Sequence, residues 1–306
     1  MNTGILAGIA LGATLTAADP TATVPLWPEG IPGTVDPVHG NDERTTASLA
    51  HVPVLQTYLV AADHPRAALI VFPGGGYGGR AGHEGEPLAR WANTLGFQGF
   101  VCQYRVSPWR HPQPLNDLQR AVRMVRQHAK EWGVDPQRIA VMGFSAGGHL
   151  AASGACFGDD GNPQAPQEVD RQSSRVNALV ACYPVISFGP LGHAGSRNNL
   201  LGKVQAPELV QRLSLENSVT AAHPPTFLWH TEDDKSVPVQ NSQMYAKALE
   251  AVQVPVSLHL YPHGHHGLGM APKDPVVSQW VPTCAEWFKS LGWIAPLTDQ
   301  KDSLSF

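Results

Sequence analysis

Gly143-Phe144-Ser145-Ala146-Gly147 is a G-x-S-x-G sequence. The apolar run at 139–143 reads as a short strand and 146–155 as a helix, and that context gives the motif chemical meaning. Glycines two before and two after the serine let the backbone turn sharply without side-chain collision. Ser145 Oγ is then lifted clear at the carboxyl end of a strand, over a helix N-terminus that favours developing negative charge. A serine is a weak nucleophile until a base takes its proton, and the base must itself be oriented. In strand-serine-helix proteins the acid and the histidine follow the serine in that order. An apolar strand at 226–230 runs straight into Thr231-Glu232-Asp233-Asp234, and Asp234-Lys235-Ser236-Val237-Pro238 leads into a helix predicted to start at Pro238. Asp234, at the turn, is the predicted acid, with Asp233 in reserve; the alternative is an ordinary solvated acidic loop. A further strand ends at Tyr261 and is followed by Pro262-His263-Gly264-His265-His266-Gly267. His266, flanked by Gly264 and Gly267, is the predicted base, and His265 is a rim residue or one that packs behind the base, and a candidate substrate contact.

The tetrahedral intermediate of such chemistry needs preorganised N–H donors, each worth about 2.7–4 kcal/mol. Phe72-Pro73-Gly74-Gly75-Gly76-Tyr77 follows a buried strand, and its glycines let backbone N–H groups face a substrate oxygen. Gly75 and Gly76 are the predicted donors, with Ala146 as the third. A phosphate cradle is the competing use of such a loop, but neither G-x-G-x-x-G entering a helix nor GK[ST] is present. His83 and Glu84 follow closely and are candidates to line the cleft, or else to cap the next helix. Tyr77, Trp109 and Trp229 are candidate platforms for a sugar ring, although tryptophans in such folds are more often core. Fourteen histidines raise the question of a metal. Adjacent His265 and His266 cannot share one side of a regular helix or strand, and no HExxH or matched Cys/His spacing occurs. No metal and no cofactor is therefore expected.

The elements that must hold these groups alternate. Strand patterns at 54–60, 67–72, 97–104, 139–143, 178–182, 226–230 and 256–261 are interleaved with helical ones at 86–95, 115–132, 146–155, 239–252 and 280–291. In the helix at 115–132, Leu115, Leu118, Val122, Val125, Ala129 and Trp132 form one face; Arg120, Arg123, Gln127 and Lys130 take the other, and Gly133 ends it. Repeated β-α-β units imply an α/β fold with one mostly parallel sheet covered on both faces. No internal repeat or linker divides the 306 residues. The predicted organisation is a signal peptide at 1–18, an extended lead-in at 19–50, a single catalytic domain at 51–295 and a tail at 296–306.

Residues 1–18 carry no charged side chain and 5–15 are apolar or small. Eleven residues are too few for a bilayer, which needs about 20, whereas an A-x-A-like Thr16-Ala17-Ala18 before Asp19 suits signal-peptide cleavage. Secretion or transfer to the periplasm is the expectation, with a cytoplasmic tail as the alternative. A formal charge of −4 without like-charge runs gives no electrostatic support for nucleic acid or a membrane surface. Charged residues make up only 15% of the chain, against 30 Gly and 27 Pro, so turns dominate and the surface is weakly charged. Cys102, Cys156, Cys182 and Cys284 match no zinc or CxxC spacing and sit in apolar runs, so free buried thiols are expected.

PGGGY, GFSAGGHLA, HTEDDKSVPVQNS and YPHGHHGLG, in that order, resemble the α/β-hydrolase esterases of the hormone-sensitive-lipase-like group. LWPEGIPG, PGGGYGGRAGHEGEP, HPQPLNDLQRAVRMVR and HAGSRNNLLG are similar to a bacterial cluster of acetyl-esterase and acetylxylan-esterase-like proteins, often secreted. The likeness spans nearly all of residues 26–291. It implies the α/β-hydrolase fold, catalysis by Ser145, Asp234 and His266, oxyanion donors at Gly75, Gly76 and Ala146, and removal of an acetyl group from plant polysaccharide such as xylan. A feruloyl or general short-chain carboxylesterase is the nearest alternative. A prolyl-oligopeptidase-like peptidase shares the triad order, but those enzymes join the hydrolase domain to a β-propeller and no propeller-sized region occurs here. A non-catalytic binding protein would not need the complete triad. One departure stands out: Pro73 replaces the histidine that precedes the three glycines in the broader group, so other residues must position that loop.

Overall fold

The computed structural model describes residues 19–35 and 43–294. The predicted signal peptide and the C-terminal tail lie outside the described residues. Eight strands form one sheet: β1 (Ala22–Pro25), β2 (Val54–Tyr58), β3 (Arg66–Phe72), β4 (Gln98–Gln103), β5 (Val134–Phe144), β6 (Ala178–Cys182), β7 (Thr226–Thr231) and β8 (Val256–Tyr261). Their order is β1-β2-β4-β3-β5-β6-β7-β8. β1 and β2 run antiparallel to their neighbours, and every pairing from β4 through β8 is parallel. This is the mostly parallel sheet expected from the alternation.

Eight helices accompany the strands among the described residues: α1 (Glu43–Ala50), α2 (Glu86–Thr94), α3 (Gln113–Gln127), α4 (Ala146–Phe157), α5 (Ala194–Leu201), α6 (Pro207–Arg212), α7 (Gln240–Ala251) and α8 (Trp280–Ser290). Alternate residues of the central strands face opposite sides. Ile70, Phe72, Val141 and Leu179 pack with Leu118 and Val122 of α3, Leu150 of α4 and Leu249 of α7. Leu69, Val71, Met142 and Val180 pack with Leu88 of α2 and with Trp280, Cys284 and Phe288 of α8. Burial on both faces explains why these strands read as continuous apolar runs rather than alternating ones. No described helix is long and apolar enough to cross a membrane.

Three expectations change. The lead-in is not wholly extended, because β1 and α1 form within it. It is pinned to α3 by long-range polar contacts: Trp27 Nε1 donates to Asp117 (2.8 Å), and Arg120 donates to Leu26 O (2.8 Å) and Glu29 (2.6 Å). Arg120 therefore does not face solvent as the helical period implies; it is 3% exposed and also pairs with Asp170. Finally, α3 ends at Gln127, before the predicted stop, and the chain continues in turns to Gly133 at φ +63°. All four cysteines are free; Cys156 is half-buried and the other three are buried.

Candidate active site

The turn from β5 into α4 is tight. A Cβ at Gly143 would collide with the carbonyl of Gly147, and one at Gly147 with the carbonyls of Phe72 and Pro73. Only glycine fits at either place. Ser145 takes φ +53° and ψ −119°, a strained backbone for a residue with a side chain. It is held there because its N–H donates to Cys182 O (3.0 Å) while its carbonyl accepts from Val185 (3.0 Å) and His149 (3.1 Å).

Ser145, His266 and Asp234 are brought together. His266 Nε2 lies 2.7 Å from Ser145 Oγ and its Nδ1 lies 2.7 Å from Asp234 Oδ2. The other carboxylate oxygen of Asp234 accepts from the N–H groups of Ser236 (2.8 Å) and Val237 (3.0 Å). An ionised carboxylate only accepts, so Nδ1 of His266 carries its proton and Nε2 faces the serine as the acceptor. Burial alone would raise the Asp234 carboxyl. Hydrogen bonds from His230, His266 and Val237 outweigh that, and hold it well below the usual carboxylate range.

Asp233, the reserve candidate, is 42% exposed at its side chain and turns to the histidine loop instead. It accepts from Gly264 N (2.8 Å) and lies 3.1 Å from His263 Nδ1, tying down the start of that loop. His265 is exposed, with Nδ1 2.8 Å from His266 O.

The glycine loop lies against the serine: a Cβ at Gly74 would come 3.0 Å from Ser145 Cβ. Gly74 O accepts from Ala81 N (2.9 Å), and Gly75 O accepts from both Gly78 N (3.0 Å) and Gly79 N (3.1 Å). In a trans peptide the N–H points opposite the C=O. The N–H groups of Gly75 and Gly76 therefore turn away from those donors, and among the described residues neither meets an acceptor. Ala146, first in α4, has no acceptor within its helix.

Glu84 and Tyr104 position this loop in place of the absent histidine. Glu84 Oε2 accepts from Gly74 N (2.7 Å), and Tyr104 donates to Pro73 O (2.6 Å). Glu84 Oε1 accepts from Tyr183 (2.6 Å), whose hydroxyl accepts from Gly269 N (2.8 Å) beyond the histidine loop. Tyr183 also packs edge-on against the His266 ring, at 5.0 Å between centroids. Glu84 is 2% exposed, so it braces the site from behind and does not touch substrate, contrary to its place among the cleft-lining candidates. Tyr77 is corrected for the same reason: it is buried, with its hydroxyl 2.8 Å from His149 Nδ1. Trp109 and Trp229 are buried too, Trp229 stacking on Trp280, and none of the three presents a face to a sugar. His83 is exposed. Its Nε2 lies 2.9 Å from Gly267 O, and it borders an open cleft of about 840 Å³ with Leu268, Met270 and Pro282.

Two histidines beside the site were not singled out by the sequence. His230 Nε2 lies 2.9 Å from Val237 O and 3.3 Å from Asp234 Oδ2, and its Nδ1 lies 2.8 Å from Ser242 Oγ. His193, on the far side of the glycine loop, caps α5. The available signal was position: Tyr104, Tyr183 and His230 stand at or just after the carboxyl ends of β4, β6 and β7, where open α/β sheets place their sites.

Burial pushes His111, His149 and His223 down to about 4. For His111 the nearby Arg212 adds to this; for His149 and His223 a bond to a backbone carbonyl works against it. They remain neutral in the folded protein while the unfolded chain takes up protons from about pH 6.5 downward. The sign is then fixed: their contribution to stability is complete above that pH and is lost as pH falls toward 4. Melting temperatures measured from pH 7 to 4 should drop steeply through this window. A flat profile would contradict the buried neutral state.

The chain is similar to proteins of one known family. The BD-FAE family model matches residues 55–249, well over half of the chain. The chain is 38% identical to endo-1,4-beta-xylanase B of Butyrivibrio fibrisolvens over 78% of its own length and 38% of that protein's. It is 34% identical to the acetylxylan esterase of Xylanibacter ruminicola over 81% of its length and 51% of that protein's. The chain thus spans about half or less of these curated relatives. Against the crystal structure of an acetyl ester-xyloside bifunctional hydrolase from Caldicellulosiruptor lactoaceticus the TM-score is 0.84, with 44% identity, covering 90% of this chain and 98% of that one. With its elbow serine, its strand order and a family model matched over most of its sheet, this chain belongs to the BD-FAE family and has the α/β-hydrolase fold.

Proposed function

We propose that the protein is a serine carboxylic-ester hydrolase that removes a short acyl group, acetyl above all, from plant polysaccharide or oligosaccharide such as xylan. The observation that carries the reading is the unbroken relay from Ser145 Oγ through His266 to Asp234, at 2.7 Å in each link. Ser145 Oγ attacks the ester carbonyl carbon as its proton passes to His266 Nε2. The carbonyl π electrons move onto oxygen, where Gly75, Gly76 and Ala146 supply N–H groups. The intermediate collapses, the C–O bond to the alcohol breaks, and His266 returns the proton to the leaving oxygen. Water, deprotonated by the same imidazole, then attacks the acyl-enzyme and releases the acid and Ser145. The likeness to the Xylanibacter acetylxylan esterase and the Caldicellulosiruptor acetyl ester-xyloside hydrolase supports acetyl on a xylose-containing alcohol.

The test is product release from a panel. Acetate should come fastest from acetylated glucuronoxylan and acetylated xylo-oligosaccharides, and 4-nitrophenyl acetate should turn over faster than its butyrate and longer esters. Faster release of ferulate from feruloylated arabinoxylan would replace the acetyl reading, and no hydrolysis of any ester would end the enzymatic one. Export is proposed as well, supported by the uncharged residues 1–18 with their apolar stretch and Thr16-Ala17-Ala18.

A further inference from the structure

His193 caps α5 beside the glycine loop, and Arg197, one turn later, lines a second cleft. His193 Nδ1 accepts from the Ser196 backbone N–H (3.2 Å). A donor at Nδ1 leaves the proton of the neutral ring on Nε2, which is therefore a hydrogen-bond donor. The ring sits over the glycine loop: a Cβ at Gly76 would lie 3.9 Å from His193 Cε1. Arg197, four residues on, anchors Nη1 on Phe188 O (2.7 Å). It borders a small recess of about 160 Å³ together with His193, and a larger cleft of about 580 Å³ together with Gln205, Ser214 and Glu216. The larger space is of ligand size.

Two residues lining that cleft each hold a buried polar atom without a partner among the described residues: Arg197 Nε and Glu216 Oε2. Each forfeits a hydrogen bond, at a cost of about 1–3 kcal/mol. One leftover N–H and one leftover carboxylate oxygen complement a hydroxyl, which accepts from the first and donates to the second. Arg197 and Glu216 offset each other's charge in the lining, so this pair favours neither an anion nor a cation, and a neutral polyhydroxylated chain matches the leftover donor and acceptor. Such a chain recovers both bonds once the two side chains turn toward it.

We propose that α5 and the cleft beyond it form a saccharide subsite distal to Ser145, with His193 Nε2, Arg197 Nε and Glu216 Oε2 as its hydrogen-bonding groups. The inference deepens the esterase reading and rests on it for the chain's reactive end. Its test separates the two. Unesterified xylohexaose is titrated by calorimetry into wild type, Arg197→Lys and Glu216→Met, and kcat/KM on 4-nitrophenyl acetate is measured beside it. Lysine keeps a donor for the Phe188 carbonyl while removing Nε, and methionine keeps the bulk of Glu216 without its oxygens. Wild type should bind the hexaose. Each variant should bind roughly tenfold more weakly, with nitrophenyl acetate turnover held within about twofold. No binding by wild type at roughly millimolar hexaose overturns the subsite, as do variants that bind like wild type. A loss of binding that turnover shares in both variants overturns it too, since it marks damage to the whole site. Binding without ester turnover in wild type would leave the subsite standing and remove the esterase reading.

Discussion

Ser145→Ala should lower kcat on 4-nitrophenyl acetate by at least about 10⁴-fold while the protein stays folded. The removed oxygen is the only atom of the relay that can form the acyl-enzyme bond. What remains is the oxyanion site and ground-state binding, which give a weak residual acceleration over water. Folding should survive because alanine, like serine, carries a Cβ at φ +53°, so the backbone strain is unchanged. The hydroxyl loses only its bond to His266, worth about 1 kcal/mol net. Turnover and thermal unfolding of the same preparation check both halves. A variant that keeps more than about 1% of wild-type kcat would remove Ser145 as the nucleophile.

Asp234→Asn should cost about 10⁴-fold in kcat, and Asp233→Asn, one residue away, should stay within about threefold. The reason is which atoms each carboxylate meets. Oδ1 of Asp234 accepts two backbone N–H groups, from Ser236 and Val237. An asparagine must keep its oxygen there, which turns its NH₂ toward His266 Nδ1. Two donors cannot face each other, so the imidazole adopts the other tautomer, with its proton on Nε2, and can no longer accept from Ser145. Asp233 presents Oδ1 to Gly264 N, and an asparagine oxygen accepts that bond equally well. Equal losses in the two variants would mean that the acidic loop acts as a unit and that the 2.7 Å contact to Asp234 does not set the tautomer.

Much of the site was legible because its parts are written locally. The elbow needs two glycines where any Cβ would strike a carbonyl, and it needs a strand before and a helix after; all of this lies within about twenty consecutive residues. Stretches buried on both faces are apolar, so β3, β6, β7 and the 139–144 part of β5 announce themselves, whereas Asp135-Pro136-Gln137-Arg138 hid the earlier start of β5 at Val134. The short helices α5 and α6 did not. The polar, glycine-containing segment of α5 has no apolar stripe, and α6 is six residues long with none of its residues buried.

The turn at Ser145, the order in which Asp234 and His266 follow it and the parallel sheet that carries them were all legible in the amino-acid sequence, since each depends on backbone geometry set by neighbouring residues. Tertiary structure decided what a charged or aromatic side chain is for. Glu84 and Arg120 look solvated in any local window, yet each is buried by a partner far along the chain: Tyr183 lies 99 residues from Glu84, and Glu29 lies 91 residues from Arg120. It also separated Asp234 from Asp233, adjacent in sequence but bonded to different residues of the histidine loop: Asp234 to His266, Asp233 to His263 and Gly264. A buried charge is tolerated only where its hydrogen bonds are met, and those partners are chosen by how distant segments cross, which no local pattern records.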